Sequence, residues 1–107
     1  MLELPYQPIE NVTRGDSPDK YHETILLNKR QWSYVQRRYH LTPRESQIAE
    51  LICQGLQNGN IAKYLRITPG TVKTHTRNIY RKVRVQSKIA MLLKFVADTK
   101  ELSVQYD

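Results

Sequence analysis

TPGTVKTHTRNIYRKVR, residues 68–84, holds the start, the inner face and the outer face of a single helix. Thr68 is a capping residue type, Pro69 brings a preset φ to the first helical position, and Thr71 follows. Val72, Ile79 and Val83 recur at helical spacing with His75, Thr76 and Tyr80 beside them, so one stripe can face a core. Lys73, Thr74, Arg77 and Arg81 fall on the other side, with no acid among them. A solvated helix usually mixes both charge signs on its exposed face. A purely cationic face with a short polar residue at its centre suits a helix lying in a DNA major groove. The alternative is a plain basic surface, and what precedes the helix in the chain weighs against it.

Upstream, His40-Leu41-Thr42-Pro43-Arg44-Glu45 signals another helix start, with Thr42 and Glu45 at capping-box spacing and Pro43 at the first helical position. Ile48, Ala49, Leu51, Ile52 and Leu56 form its inner face, and Gly55 suits a left-handed stop. Cys53 reads as a small core residue with no adjacent cation to activate its thiol. Gln57-Asn58-Gly59-Asn60 reads as a polar turn before a short helix with Ile61, Ala62 and Leu65 inside and Lys63 and Arg66 outside. Arg66-Ile67-Thr68 then leads straight into the cationic helix. Two helices joined by so short a turn, the second cationic on its outer face, have helix-turn-helix anatomy.

After Gln86 comes an apolar segment in which Met91, Leu92 and Phe95 can face the core. Ile89, Leu93 and Val96 form a second apolar stripe that a small domain cannot easily bury alone. A second subunit, or the helix expected before residue 40, would cover it. A homodimer is the favoured reading, because an isologous pair would place two such helices on one duplex.

Residues 1–20, with Pro5, Pro8, Gly15 and Pro18, read as an irregular arm. In residues 21–40, Tyr21, Ile25, Trp32, Val35 and Tyr39 form one stripe of an amphipathic helix, interrupted by Asn28. Lys29, Arg30, Gln36 and Arg37 occupy its other side. That helix either packs back on residues 41–98 or pairs with a second subunit; reading its aromatics as base-stacking platforms is weaker. The tail, residues 99–107, is polar and expected to fray.

The formal net charge of +7 is carried by the middle of the chain. Residues 41–98 hold ten Lys or Arg against three acids, whereas residues 1–40 hold six against five. Such placement is the footprint expected on a polyanion. The lone cysteine fits a reducing compartment, and no apolar run approaches the ~20 residues needed to span a bilayer. The N-terminus lacks the positive, then apolar, pattern of a signal peptide. The expectation is a cytoplasmic, nucleoid-associated protein without membrane contact. Acids are sparse in residues 41–98, and no phosphate loop or nucleophile motif appears, so an enzyme is not expected. His22, His40 and His75 have no cysteine or acid at ligand spacing, so neither metal nor cofactor is expected.

LTPRE at 41–45, the glycine and asparagine of GLQN at 55–58, IA at 61–62 and TVKTHTRNIYRKV at 71–83, followed by Val85, resemble the LuxR/GerE-type helix-turn-helix domain, also called the NarL/FixJ type. The resemblance covers about residues 40–97. It implies an all-α, four-helix domain, here at 41–98, preceded by the irregular arm and the extra amphipathic helix. It also implies a sequence-specific bacterial transcription regulator of double-stranded DNA, whose third helix enters the major groove and whose fourth makes the dimer contact. Carried over by position, Lys73, Thr74 and Arg77 would read base edges, and Thr71, Lys63 and Arg81 are candidates for phosphate contacts, with an ordinary solvated charge the alternative for Lys63 and Arg81. Ile89, Leu93 and Val96 would close the dimer.

Some features depart from that family. It often starts its second helix with a Ser-Asn-Lys-Glu capping box where Gln57-Asn58-Gly59-Asn60 stands here, which predicts a cap weaker by about 1 kcal/mol. Its fourth helix often has alanines in place of Met91 and Phe95, which predicts a different packing. Many members carry a receiver or ligand-binding domain for which the first forty residues are too short, so a stand-alone version is expected. Two rival readings differ in what they predict. An interaction module, its 21–40 helix docking on RNA polymerase or another regulator, would depend on Trp32 more than on Lys73 or Arg77. Non-specific architectural binding would be steeply salt-dependent with almost no sequence preference.

Overall fold

A computed structural model describes residues 26–102, and these form five α-helices and a final 3-10 turn with no strand among them. They are α1 Lys29–Tyr39, α2 Pro43–Cys53, α3 Asn58–Leu65, α4 Pro69–Val83 and α5 Lys88–Asp98, followed by Lys100–Leu102. The all-α expectation holds. Four of the five helices begin at a side-chain cap. Thr42 and Glu45 close their box, with the Glu45 amide donating to Thr42 Oγ1 at 3.1 Å and the Thr42 amide donating to Glu45 Oε1 at 3.0 Å. Thr68 Oγ1 accepts from the Thr71 amide at 3.1 Å, and Ser87 Oγ accepts from the Ala90 amide at 3.1 Å. Gln57 precedes α3 without any side-chain cap, as the missing Ser-Asn-Lys-Glu pattern predicts. Asn58, Gly59 and Asn60 nevertheless form the first turn of α3; the expected polar turn is one residue of extended backbone, Gln57.

The ends of α1 to α4 share one device. At Gly55 (φ 93°) the chain turns left-handed, the Gly55 amide donates to the Ile52 carbonyl and the Leu56 amide to the Leu51 carbonyl. This pair of bonds is the Schellman motif. His40 (φ 56°) and Arg66 (φ 60°) repeat it with the same bonding pattern, and Arg84 (φ 66°) sends the Val85 amide back to the Tyr80 carbonyl. Each left-handed residue is followed by an apolar one, Leu41, Leu56, Ile67 or Val85, which is buried or packs against the core.

The core gathers Val35 and Tyr39 of α1, Ile48, Ala49, Leu51 and Ile52 of α2, Ile61 and Ala62 of α3, Val72, Ile79 and Val83 of α4, and Met91 and Phe95 of α5. Burying one such large side chain contributes about 1.5–3 kcal/mol. Phe95 is fully buried, with the Trp32 ring edge-on at 5.6 Å and the Tyr39 ring at 6.0 Å. Phe95, bulky where the family often has alanine, is thus accommodated by an additional helix whose aromatic rings pack on it. Of the two placements considered for the 21–40 helix, packing on its own chain is the one observed.

Two details of the sequence reading need correction. Asn28 does not interrupt a longer helix; it caps α1. Its Oδ1 accepts from the Gln31 amide at 2.8 Å, and Gln31 Oε1 accepts from the Asn28 amide at 2.7 Å. Leu26 and Leu27 lie in a bend before it, and Tyr21 and Ile25 of the expected stripe lie outside the described residues. Nor does the chain fray at Thr99, which is fully buried. Thr99 Oγ1 donates to the Phe95 carbonyl at 2.7 Å, while its own carbonyl accepts from Gln31 Nε2 at 3.1 Å. Gln31 therefore caps α1 and ties it to the end of α5 with one buried side chain. Tyr39 Oη donates to Asp98, and Arg38 Nε stands 3.6 Å from the same carboxylate.

Candidate nucleic-acid interface

α4 is fixed on its inner side before anything can be asked of its outer side. Val72, Ile79 and Val83 have no exposed surface, and the helix packs chiefly on α2 and α3. At its C-terminal end Lys82 Nζ donates to Glu45 Oε1 at 2.7 Å and to the His40 carbonyl at 3.0 Å. One lysine therefore links α4 to the start of α2 and to the end of α1. Burial by itself would raise the Glu45 carboxyl, but hydrogen bonds from Lys82 and from the Thr42 amide outweigh it and hold the group below the ordinary carboxylate range. Lys94 Nζ donates to the Val83 carbonyl at 2.7 Å, a cation placed on the negative end of the α4 dipole.

The outer side is built from side chains that the fold leaves free. Lys73, Thr74, Arg77 and Arg81 are all exposed, and helical spacing sets them on one face. Lys73 and Arg77 have no carboxylate within ion-pair distance among the described residues, and α4 itself contains no acid. Arg81 is less free, because its Nη2 donates to Asn78 Oδ1 at 2.8 Å. Thr74 is also engaged: its Oγ1 donates to the Gly70 carbonyl at 3.1 Å. Thr71 is exposed at the first turn, its hydroxyl 2.9 Å from that of Thr68. Lys63 is exposed on α3, the helix before. An uncompensated positive face of this kind has its full field available to an anion.

His75 lies at the flank of α4, where its Nδ1 is buried without a hydrogen bond among the described residues. No group of three His, Cys, Asp or Glu residues able to hold a metal occurs among the described residues. Burial, helped by the charge of Glu50, pushes the Cys53 thiol up to about 12, so it carries no reactive thiolate. The left-handed arginines, Arg66 and Arg84, are exposed cations just before and just after α4, and the left-handed backbone at each is not legible from periodicity. The apolar residue after each of them was the available signal.

On α5, Met91 and Phe95 face inward and Leu92 is half-buried. Ile89 is 68% exposed, Leu93 65% and Val96 40%. Because α1 packs on the Phe95 side, these three remain uncovered by every other described element. Among the described residues no helix is long and apolar enough to cross a membrane.

Comparison with known proteins agrees with this geometry. Over 49 residues the chain is 47% identical to the nitrate/nitrite response regulator protein NarL of Escherichia coli K12, covering 46% of this chain and 23% of NarL. Over 56 residues it is 43% identical to the nitrate/nitrite response regulator protein NarP of the same strain, covering 52% of this chain and 26% of NarP. Over 80 residues it is 34% identical to the response regulator protein VraR of Staphylococcus aureus Mu3, covering 75% of this chain and 38% of VraR. The aligned segments thus span less than half the length of these relatives. No solved structure matches. Residues 39–95 match the luxR family of bacterial regulatory proteins. That match takes in α2 to α4, most of α5 and the connections between them, more than half of the chain. The chain therefore belongs to the luxR family of bacterial regulatory proteins, a family of DNA-binding transcription regulators.

Proposed function

We propose that this chain regulates transcription by reading double-stranded DNA sequence as a homodimer, each copy placing α4 in the major groove of one half-site. The observation that carries the reading is the outer face of α4, where Lys73 and Arg77 stand exposed, with no carboxylate paired to them among the described residues, on a helix whose inner face is locked into the core. Lys73 and Arg77 can donate to guanine O6 and N7, and Thr74 lies beside them on the same face. Thr71, Lys63 and Arg81 are suited to phosphates, which set register and carry no sequence information. Exposure of Ile89, Leu93 and Val96 on α5 supports dimerisation through that helix, since a joined apolar face of this kind is otherwise left in water. Such a protein would act at the nucleoid.

Docking on polymerase through the aromatic residues of α1 has less support, because Trp32 and Tyr39 are spent on Phe95. A Trp32 variant would therefore report on folding. The deciding experiment is selection from a pool of randomised duplexes at near-physiological salt. Enrichment of a two-fold repeat with half-sites about one helical turn apart is the expected result. A single enriched half-site would remove the dimer, and binding without any enrichment would leave an architectural role.

A further inference from the structure

α1 carries a second cationic surface, and its partner rests on the reading above that the chain binds DNA. This helix lies almost wholly outside residues 39–95, the part that matches the luxR family. Its sequence, KRQWSYVQRRY, contains four cations and no acid. Gln31, Val35 and Tyr39 are buried, while Lys29, Arg30, Ser33 and Arg37 are exposed, so helical spacing turns these four away from the core. Arg38 is taken: its Nε stands 3.6 Å from Asp98, and its guanidinium lies 5.3 Å from the centre of the Tyr39 ring. Lys29, Arg30 and Arg37 have no carboxylate within ion-pair distance among the described residues.

Folding gives no reason for cations at the start of α1. Lys29 and Arg30 fill the first two helical positions after the Asn28 cap, where the helix dipole is positive and an acid would be stabilising. Arg37, in the last turn, suits the dipole, and it lies two turns from Arg30 on the same side, about 10 Å along the axis. The helix beneath them is held firmly, by Gln31 on the Thr99 carbonyl and by Trp32 and Tyr39 on Phe95. The cationic face is thus rigid, and at two of its three charges it opposes the preference of its own helix.

This face also runs on from α4. Lys82 of α4 donates to the His40 carbonyl at 3.0 Å, and the His40 amide donates to the Arg37 carbonyl at 3.4 Å. The exposed Arg81 and Arg84 at the end of α4 therefore lie a few residues from the exposed Arg37. The carboxylate at this junction, Glu45, is buried and taken by Lys82. We infer that Lys29, Arg30 and Arg37 form a second DNA contact, gripping backbone phosphates outside the base pairs that α4 reads. Such a contact adds affinity without sequence information.

The test compares the full chain with a variant carrying Lys29→Gln, Arg30→Gln and Arg37→Gln. Both are titrated on the duplex enriched from the randomised pool, extended by a helical turn of arbitrary sequence at each end. Affinity should fall about tenfold or more at near-physiological salt, and the salt dependence should flatten by about three charges per subunit. The variant should still enrich the same sequence. Hydroxyl-radical cleavage should show backbone protection beyond the enriched site in the parent and none there in the variant. Urea unfolding should come no earlier, because glutamine is a good helix former and two of the lost charges opposed the dipole. Arg44→Gln, which removes one exposed charge from α2, measures the general field and should cost less than about twofold. Equal footprints, with a loss per charge no greater than that of Arg44→Gln, would overturn the inference. So would earlier unfolding with unchanged affinity of the folded protein, since the cations would then be structural. If the parent binds without enriching any sequence, the sequence reading falls, and the same comparison on an arbitrary duplex still decides this contact. No binding to any duplex would remove both.

Discussion

Two helices in this molecule start from the same four-residue pattern and end up with opposite properties. His40-Leu41-Thr42-Pro43 begins α2 and Arg66-Ile67-Thr68-Pro69 begins α4, each with a left-handed residue, an apolar anchor, a capping threonine and a proline at the first helical position. Three residues after the threonine they part. α2 has Glu45 there, whose carboxylate closes the cap, is almost completely buried and holds Lys82. α4 has Thr71, exposed, and no acid in its first turn. A helix N-terminus carries roughly half a positive charge, and an acid within its first turn neutralises it. One end is therefore closed by the protein itself, and the other keeps its positive potential toward solvent. The same local code yields a structural joint when its third position is acidic and an end left positive toward solvent when it is not.

If that contrast governs function, Thr71→Glu should break it with the largest effect. The new carboxylate would complete a capping box at α4 and stabilise the fold by about 0.5 kcal/mol. It would also set a negative charge where a phosphate is proposed to sit, costing about 2 kcal/mol or more in DNA affinity, some thirtyfold. Titration with the selected duplex alongside urea unfolding reads both quantities. Unchanged affinity would mean that the open end faces no phosphate.

The reciprocal change, Glu45→Ala, should show the opposite split. It removes one half of the α2 cap and leaves Lys82 with only the His40 carbonyl. The expected loss is about 2 kcal/mol of stability, discounted from a fully buried pair because Lys82 is 30% exposed. Binding by the folded protein should stay within about twofold. A large affinity loss at full stability would make Glu45 a determinant of α4 geometry in its own right.

Acid should act on the closed end alone. The Glu45 carboxyl is held below its ordinary 4.5 in the folded state, so its contribution is present above that value and disappears as the pH falls through the lower, folded one. Glu50, on the same helix, runs the other way, since burial raises it. The stability of the parent minus that of Glu45→Gln, followed by urea unfolding from neutral pH down through the carboxylate range, should therefore shrink below pH 4.5. A difference that stays constant across that range would mean the carboxylate charge contributes nothing to the joint.

Much of this contrast could be read from the chain itself. Thr42 with Glu45, and Thr68 with Pro69, announce their helices through contacts three residues long, and Val72, Ile79 and Val83 announce the inner face by spacing alone. The Asn28 cap was equally local, an Asn with Gln31 three residues on, but the apolar stripe drew the helix through it. What lay beyond reading was the long-range pairing: Lys82 with Glu45 across 37 residues, and Gln31 with Thr99 across 68. Periodicity sorts residues into inside and outside; it does not say which outside charge finds a partner. Thus spacing puts Lys73 and Arg77 outside, but it takes the folded chain to show that no carboxylate among the described residues pairs with them.

The left-handed residues sharpen the comparison at its smallest scale. Where α2 ends, the position is filled by Gly55, which adopts φ 93° without steric cost. His40 and Arg66, which lead into the two Thr-Pro helices, take φ 56° and 60° with a Cβ in place, at a cost of about 1 kcal/mol each. His40→Gly and Arg66→Gly should therefore each stabilise the fold by about 0.5 kcal/mol, the gain being reduced because glycine also frees the unfolded chain. The two should differ in binding. His40 leads into the closed helix, so its replacement should leave DNA affinity alone. Arg66 leads into the open one as an exposed cation, so its replacement should lower affinity and flatten the salt dependence by about one charge. A protein that becomes more stable and binds more weakly through one substitution would show that the arginine is kept for its charge against the preference of its backbone. If both variants gain stability and neither loses affinity, the open end is served by α4 alone.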